Sequence, residues 1–324
     1  AFLLWATVAG ALAAPAPNSA AAVDSSAAGF PLPIATVSNA EQAHKICSPP
    51  GNGLLPSIPW RERSDWLNAK TDVEPGARGD GKSDDTTALQ LALDLVGELP
   101  GTAKVVYLPP GTYRITRPLS LTKRNGGILV GHGRDTRLLW DGPTGGRMFW
   151  SNGAARQSYT GLVWDGNGKA AVGIDHDSRT LYETRIIHEH MEFRHFRIAG
   201  IRVGHDQKLA SAEMLFSNLK FVGNENGVLF QSWNDYNNIF DGCHFVDNGY
   251  GIRAEKGNVT VRNSRFEGSR TSDLFLSTHS HSVRRVVSSN SNAFIRTVRG
   301  PVTNALIKVQ DRLGDPWQNP EQAI

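Results

Sequence analysis

From about residue 160 the chain repeats itself, and a repeat of a few tens of residues constrains the fold more than any single motif. The fragments LVW (162–164), MEF (191–193), LKF (219–221), CHF (243–245) and SRF (264–266) each end in an aromatic residue. Six to nine residues later a second fragment begins, at Gly173, Gly200, Gly227, Gly251 and Asp273, in steps of 27, 27, 24 and 22 residues. Side chains alternate between the faces of a strand, so the repeat can be tested by columns. One inward column reads Trp164, Phe193, Phe221, Phe245 and Phe266, and its outward neighbours are Val163, Glu192, Lys220, His244 and Arg265. In the second set Ile174, Ile201, Val228, Ile252 and Leu274 point in, while Asp175, Arg202, Leu229, Arg253 and Phe275 point out. A rung this small cannot bury its own apolar face and must stack on neighbours about 4.8 Å away. The fold class expected is all-β, a parallel β-helix.

Upstream of the repeats, Ser83 reads as a helix N-cap, with Asp84 and Asp85 where the helix dipole favours acids. Ala88, Leu89, Ala92, Leu95 and Val96 form an apolar stripe, giving an amphipathic helix suited to cap the N-terminal end of the solenoid. Residues 1–14 carry the apolar core and small-residue site of a signal peptide, without a basic leader, which predicts a secreted or periplasmic protein. A truncated membrane anchor is the alternative, though the stretch is shorter than the ~20 residues a span needs. The Ala, Pro and Ser of residues 15–45 predict a flexible linker. That leaves 46–324 as the β-helix domain, expected to lack C-terminal rungs. Two cysteines, Cys47 and Cys243, cannot build a disulfide framework, and Cys243 reads as a core residue. A net charge of +3 without any long run of like charges argues against nucleic acid and is compatible with an anionic polysaccharide.

The runs GARGDGKSDDTTALQLALD, VVYLPPGTYRIT and GILVGHGRDT, with the rungs after them, resemble the pectate-lyase superfamily, the branch related to polygalacturonases, rhamnogalacturonases and sugar epimerases. The resemblance covers about residues 67–300 and implies a right-handed parallel β-helix acting on polysaccharide. Its members include hydrolases, lyases, epimerases and adhesins, so it does not choose a reaction. The Gly131, His132, Gly133 triplet copies a polygalacturonase motif but precedes the repeats, and a turn is expected there. Where that subfamily places its aspartates this chain has Val172 and Gly173, Ala199 and Gly200, Asn226 and Gly227, Tyr250 and Gly251, and Ser272 and Asp273. Only one is acidic, which argues against an ordinary polygalacturonase.

The candidate site is the outward column of the second strand set and the loops after it. Asp175, Arg202, His205, Asp235, Arg253 and Glu255 are the catalytic candidates, with His176, Asp177 and Asp206 in the same band. Trp233, Asn234, Tyr236, Lys256 and His279 are the substrate-binding candidates, because sugar rings stack on aromatics while amides and amines hold their polar groups. A lyase needs a base and a cation for the uronate carboxylate, with Ca2+ as a possible cofactor; a hydrolase needs two carboxylates about 5 to 9.5 Å apart. A ladder of surface ion pairs, Asp175 with Arg202, is the structural alternative. Arg202→Ala and Asp235→Ala are each expected to abolish activity and leave the fold intact. The cluster at His188, Glu189, His190, Glu192 and His195 reads as surface or turn histidines, with no third metal ligand identified. The expected activity is lyase or glycoside hydrolase chemistry, or epimerisation, on an acidic, pectin-like polysaccharide. A noncatalytic binding or adhesin-like module is the alternative. Stable membrane insertion is not expected once the leader is removed, and the oligomeric state stays open.

Overall fold

In the computed structural model, residues 55, 57, 58, 63–97, 103–179, 181–205, 209–277 and 279–297 are described, with the backbones of Ile307–Gln310 and Leu313–Gly314. The leader, the linker, Cys47 and Asp206 lie outside the described residues. The chain winds into a parallel solenoid of about eight turns with three strands in each full turn. The first sheet runs from Leu67–Asn68 through Ala155–Thr160, Ile187–Glu189 and Leu215–Ser217 to Ile307–Gln310. The second runs from Asp80–Asp84 through Val163–Asp165, Glu192–Arg194 and Lys220–Val222 to Leu313–Gly314. The third holds Leu119–Thr122, Arg147–Asn152, Val172–His176, Ala199–Val203, Asn226–Phe230, Tyr250–Ala254, Ser272–Leu276 and Ile295–Thr297.

Both columns read from the sequence exist in this register. Trp164 pairs with Phe193, Phe193 with Phe221, Phe221 with Phe245 and Phe245 with Phe266, and all five are fully buried. Their rings stack with centroids 6.1, 5.3, 4.9 and 4.5 Å apart. Ile174, Ile201, Val228, Ile252 and Leu274 form the inner column of the third sheet. The first sheet adds a column the two-strand reading did not contain: Tyr159, His188, Phe216 and Phe240, stacked at 5.2, 5.1 and 4.4 Å.

That column corrects the reading of His188 as a surface or turn residue. It is fully buried, because its strand position places it inward between Tyr159 and Phe216. Its Nε2 lies 3.0 Å from Nε2 of His176, whose Nδ1 is 3.1 Å from Glu183, and Ser151 donates to Glu183 at 2.6 Å. His176 is therefore also interior, one residue out of phase with the outward Asp175. His190, by contrast, is a turn residue, in the left-handed region with φ of 51°.

The tight turns between first and second sheets place Gly161, His190, Asn218, Gly242, Asn263 and Arg285 at one stacked position, all with φ between 48° and 69°. Between second and third sheets, the buried Asn224 and Asn248 bridge turns: Asn224 donates to Phe193 O and Asn248 to Phe221 O, each at 3.0 Å. These side chains satisfy backbone groups that the turns would otherwise leave buried and unpaired.

The helix, α1 (Thr86–Asp94), begins later than the sequence suggests. Ser83 belongs to the strand Asp80–Asp84, and Asp85 occupies the N-cap position. The Asp85 carboxylate turns back to accept from the N–H groups of Arg78 and Gly79 at 2.7 and 3.1 Å, so it braces the preceding turn. Leu95 is exposed, while Ala88, Leu89, Ala92 and Leu93 are buried in the core cluster. Gln90 exchanges two hydrogen bonds with the backbone of Ser120, tying α1 to the third sheet. The Gly131, His132, Gly133 triplet leads into a turn at Arg134 and Asp135, with the His132 ring 2.6 Å from the Tyr107 hydroxyl.

Burial holds several imidazoles neutral. It lowers His188 well below 6.5, and with nearby cations lowers His244 to about 4; His281 is likewise lowered to about 4, chiefly by burial. A depressed folded-state pKa means that the unfolded chain binds more protons between pH 6.5 and 4, so stability is lost as pH falls through that window. A shift from 6.5 to 4 corresponds to roughly 3 kcal/mol at most for each of His244 and His281. Denaturant midpoints should therefore drop between pH 7.5 and 4.5; a flat profile would refute the assignment.

Candidate functional site

The third sheet's outer face reads Trp150, Asp175, Arg202, Leu229, Arg253, Phe275 and Arg296 along one row of paired positions. Leu229, only 5% exposed, divides the charged residues into two groups.

In the first group Asp175 is fully buried. It accepts two hydrogen bonds from Arg202, at 2.9 and 2.7 Å, and one from Arg147 at 2.8 Å. Arg202 is 12% exposed, so this is a covered ion pair rather than a ladder on the surface. The Arg147 guanidinium also lies 5.2 Å from the Trp150 ring centre, in cation–π range. Asp177 follows on the same side, covered, with Oδ2 on Arg179 at 2.7 Å. Burial pushes its pKa up; Arg179 opposes this, and the charge of Asp175 adds to the rise. Two neighbouring carboxyl groups thus have opposite surroundings, one clamped by guanidinium groups and one inclined to hold a proton.

The second group lies where the strands at 226–230, 250–254 and 272–276 run into their loops. Trp233, Tyr236, Lys256 and His279 come together there. Trp233 is 54% exposed, the His279 ring stands edge-on to it at 4.9 Å, and Tyr236 meets the same imidazole at 5.6 Å. Lys256 Nζ is 5.9 Å from the Trp233 ring centre. The His279 Nε2 is buried and has no hydrogen-bond partner among the described residues. One residue before Lys256, Glu255 pairs with Arg253 at 2.8 Å and accepts from Gln231 at 3.3 Å. The Arg253 guanidinium also lies 4.9 and 5.6 Å from the ring centres of Tyr250 and Phe275, which themselves meet edge-on at 6.0 Å. Both contacts are in cation–π range and hold the guanidinium beside Glu255.

The remaining candidates divide between loop structure and exposure. Asp235 is fully buried; its carboxylate accepts from Ser232 N at 2.9 Å and its carbonyl from Asn238 and Asn258, so it shapes the loop that presents Trp233 and Tyr236. Asn234 is exposed, and His205 is half-buried in the loop after Ala199–Val203. Sequence reasoning did not single out Trp150, Arg147 or Gln231. It also missed Tyr182, 61% exposed in the loop after Val172–His176. An exposed aromatic following a rung was the signal that found Trp233 and applies equally to Tyr182. Among the described residues, no three His, Cys, Asp or Glu side chains form a metal-holding group.

A family model described as "Rhamnogalacturonase A/epimerase, pectate lyase-like" matches residues 66–293. "Alginate lyase 7" of Azotobacter vinelandii is 34% identical over 104 residues, 28% of this chain and 12% of that protein. An iota-carrageenase complexed to iota-carrageenan fragments superposes with a TM-score of 0.58 at 16% identity, over 76% of this chain and 59% of the enzyme. The alginate lyase of Paenibacillus sp. str. FPU-7 does so at 0.51 and 15%, over 72% and 94%. At these identities the superpositions speak for the fold, and the chain spans only a fraction of the curated relative. Among the described residues no helix is long and apolar enough to cross a membrane.

Proposed function

Because the chain belongs to the rhamnogalacturonase A/epimerase, pectate lyase-like family, we propose that it is a lyase of an acidic polysaccharide, working at the loop end of the third sheet. The observation that carries this reading is the convergence of Trp233, Tyr236, Lys256 and His279, with the imidazole edge-on to both exposed aromatic rings. Lys256 and Arg253 supply positive charge for the carboxylate of a uronate unit. Neutralising that carboxylate acidifies the neighbouring C–H, and His279 takes the proton. The C–H electron pair forms the double bond, the glycosidic C–O bond breaks, and the departing oxygen takes its proton from the His279 imidazolium or from water. Trp233 and Tyr236 hold the sugar rings against the loop. The leader read at residues 1–14 adds export to the proposal.

A second reading has its own observation. Asp177, whose pKa burial raises, stands beside Asp175, which Arg147 and Arg202 clamp; this is the arrangement of a general acid next to a second carboxyl group, as hydrolysis requires. Incubation with pectin, rhamnogalacturonan and alginate separates the two. Lyase action gives an unsaturated product absorbing at the ultraviolet edge; new reducing ends without that absorbance mark a hydrolase. Neither signal with retained binding marks a noncatalytic module or an epimerase, and refutes the lyase reading. Trp233→Ala should raise KM roughly tenfold, equivalent to about 1.4 kcal/mol of stacking, with a smaller change in kcat. An unchanged KM would remove Trp233 from the contact surface.

A further inference from the structure

A different face of the solenoid carries a second cluster that the reaction does not use. On the second sheet, Arg137, Asp165 and Arg194 lie on adjacent strands, and the turns that follow carry Asn167, Gly168, His195, Arg197 and Gly223. Together they line a trough of about 670 Å3. Its floor is the buried carboxylate of Asp165, whose Oδ2 accepts from Arg137 at 2.6 Å and from Arg194 at 2.7 Å. Its Oδ1 accepts from Asn167 N at 2.8 Å and lies 3.4 Å from His195 Nδ1. Burial tends to raise the Asp165 pKa, but the Asn167 N–H and the two guanidinium groups outweigh it, and the group stays ionised.

Asp165 therefore orients the arginines without consuming them. A guanidinium has five N–H donors, and Arg137 gives one to Asp165. Arg194 gives one to Asp165 and one, at 3.3 Å, to Glu192. Arg197 is exposed and makes no side-chain ion pair among the described residues. Three guanidinium groups, Arg137, Arg194 and Arg197, stand against the two carboxylates Asp165 and Glu192, leaving one positive charge, or two when His195 is protonated. Glycines keep the trough open: a side chain on Gly168 would meet nothing within 4 Å, and one on Gly223 would reach only His195 at 3.6 Å. The His195 side chain, 54% exposed, adds a flat ring at the rim.

We infer that this trough is a second, noncatalytic binding site for an acidic sugar, with Arg137, Arg194 and Arg197 taking its carboxylate and the His195 ring lying against its pyranose face. Its volume suits a ligand larger than an inorganic anion. The identity of the polymer rests on the proposed function, while the site itself does not. It would hold a long chain on the protein between events at the third sheet, raising the local substrate concentration as a second linked contact does.

Calorimetry with trigalacturonate, on the full chain in a His279→Ala background that prevents cleavage, tests it. Two molecules should bind each chain. Arg197→Glu with His195→Ala, both exposed positions, should leave one and weaken the lost site at least tenfold. Trp233→Ala should weaken the other site instead, so failure of the proposed reaction site shows up separately. Circular dichroism verifies that each variant is folded. With His279 intact, Arg197→Glu should raise KM on long polymer and leave turnover of trimers unchanged. Undiminished stoichiometry in the Arg197→Glu, His195→Ala protein overturns the inference. So does inorganic phosphate or a neutral trisaccharide binding at that site as tightly as trigalacturonate.

Discussion

Replacing His279 by alanine is expected to lower kcat on the responsive polysaccharide by 10²- to 10⁴-fold, the usual contribution of a positioned general base. KM should move little, because Trp233, Tyr236 and Lys256 still hold the sugar. The imidazole is set up for this by its neighbours: edge contacts with two aromatic rings fix its plane at the mouth of the loops. Lys256→Ala should behave differently, raising KM and lowering kcat together, since the cation is required both to bind the carboxylate and to stabilise charge as it develops. Rates on pectin, rhamnogalacturonan and alginate provide the check. Wild-type turnover in the His279→Ala protein would end the lyase assignment and leave Asp177 and Asp175 as the groups to test.

Arg202→Ala is expected to cost about 3 to 5 kcal/mol of stability, because it leaves the fully buried Asp175 with Arg147 as its remaining guanidinium partner. A double variant with Asp175→Leu and Arg202→Met should recover much of that loss, since removing both charges abolishes the desolvation penalty as well as the pair. Urea denaturation of the two proteins measures this. The outcome decides between two meanings of one residue. If the single variant loses activity at unchanged stability, Arg202 acts on substrate. If it loses stability in the expected range and the double variant regains it, the residue is a brace for the third sheet.

How far the sequence led is clear from particular positions. Trp164 and the four phenylalanines under it were legible because one residue per turn recurs with the same chemistry and the same neighbours. The first sheet was not, because its inner column mixes Tyr159, His188, Phe216 and Phe240 on strands as short as three residues, and a histidine there reads as polar until its stacking partners are known. The turn positions were hidden in a similar way. Arg285 adopts a left-handed backbone where glycine or asparagine would have announced a turn.

At the site, alternation identified the face correctly for Asp175, Arg202 and Arg253, but alternation carries no information about depth. Arg147 and Arg202 close over Asp175 from the strands on either side, and burial follows from that pairing rather than from any local pattern. The grouping of Trp233, Tyr236, Lys256 and His279 depended on three loops meeting. Proximity in the sequence linked only Trp233 with Tyr236, and the solenoid's stacking of coils supplied the rest.

The stacked turns at Gly161, His190, Asn218, Gly242, Asn263 and Arg285 give the six coils from Ala155 onward the same corner, whatever their length elsewhere. Each coil is thus an interchangeable part with standard joints. Excising one whole coil, for instance the 24 residues from Gly227 to the residue before Gly251, would bring Gly200 beside Gly251 with like columns meeting like. The molecule can in this way lengthen or shorten by complete modules, while a loop growing from any one module leaves the modules above and below undisturbed.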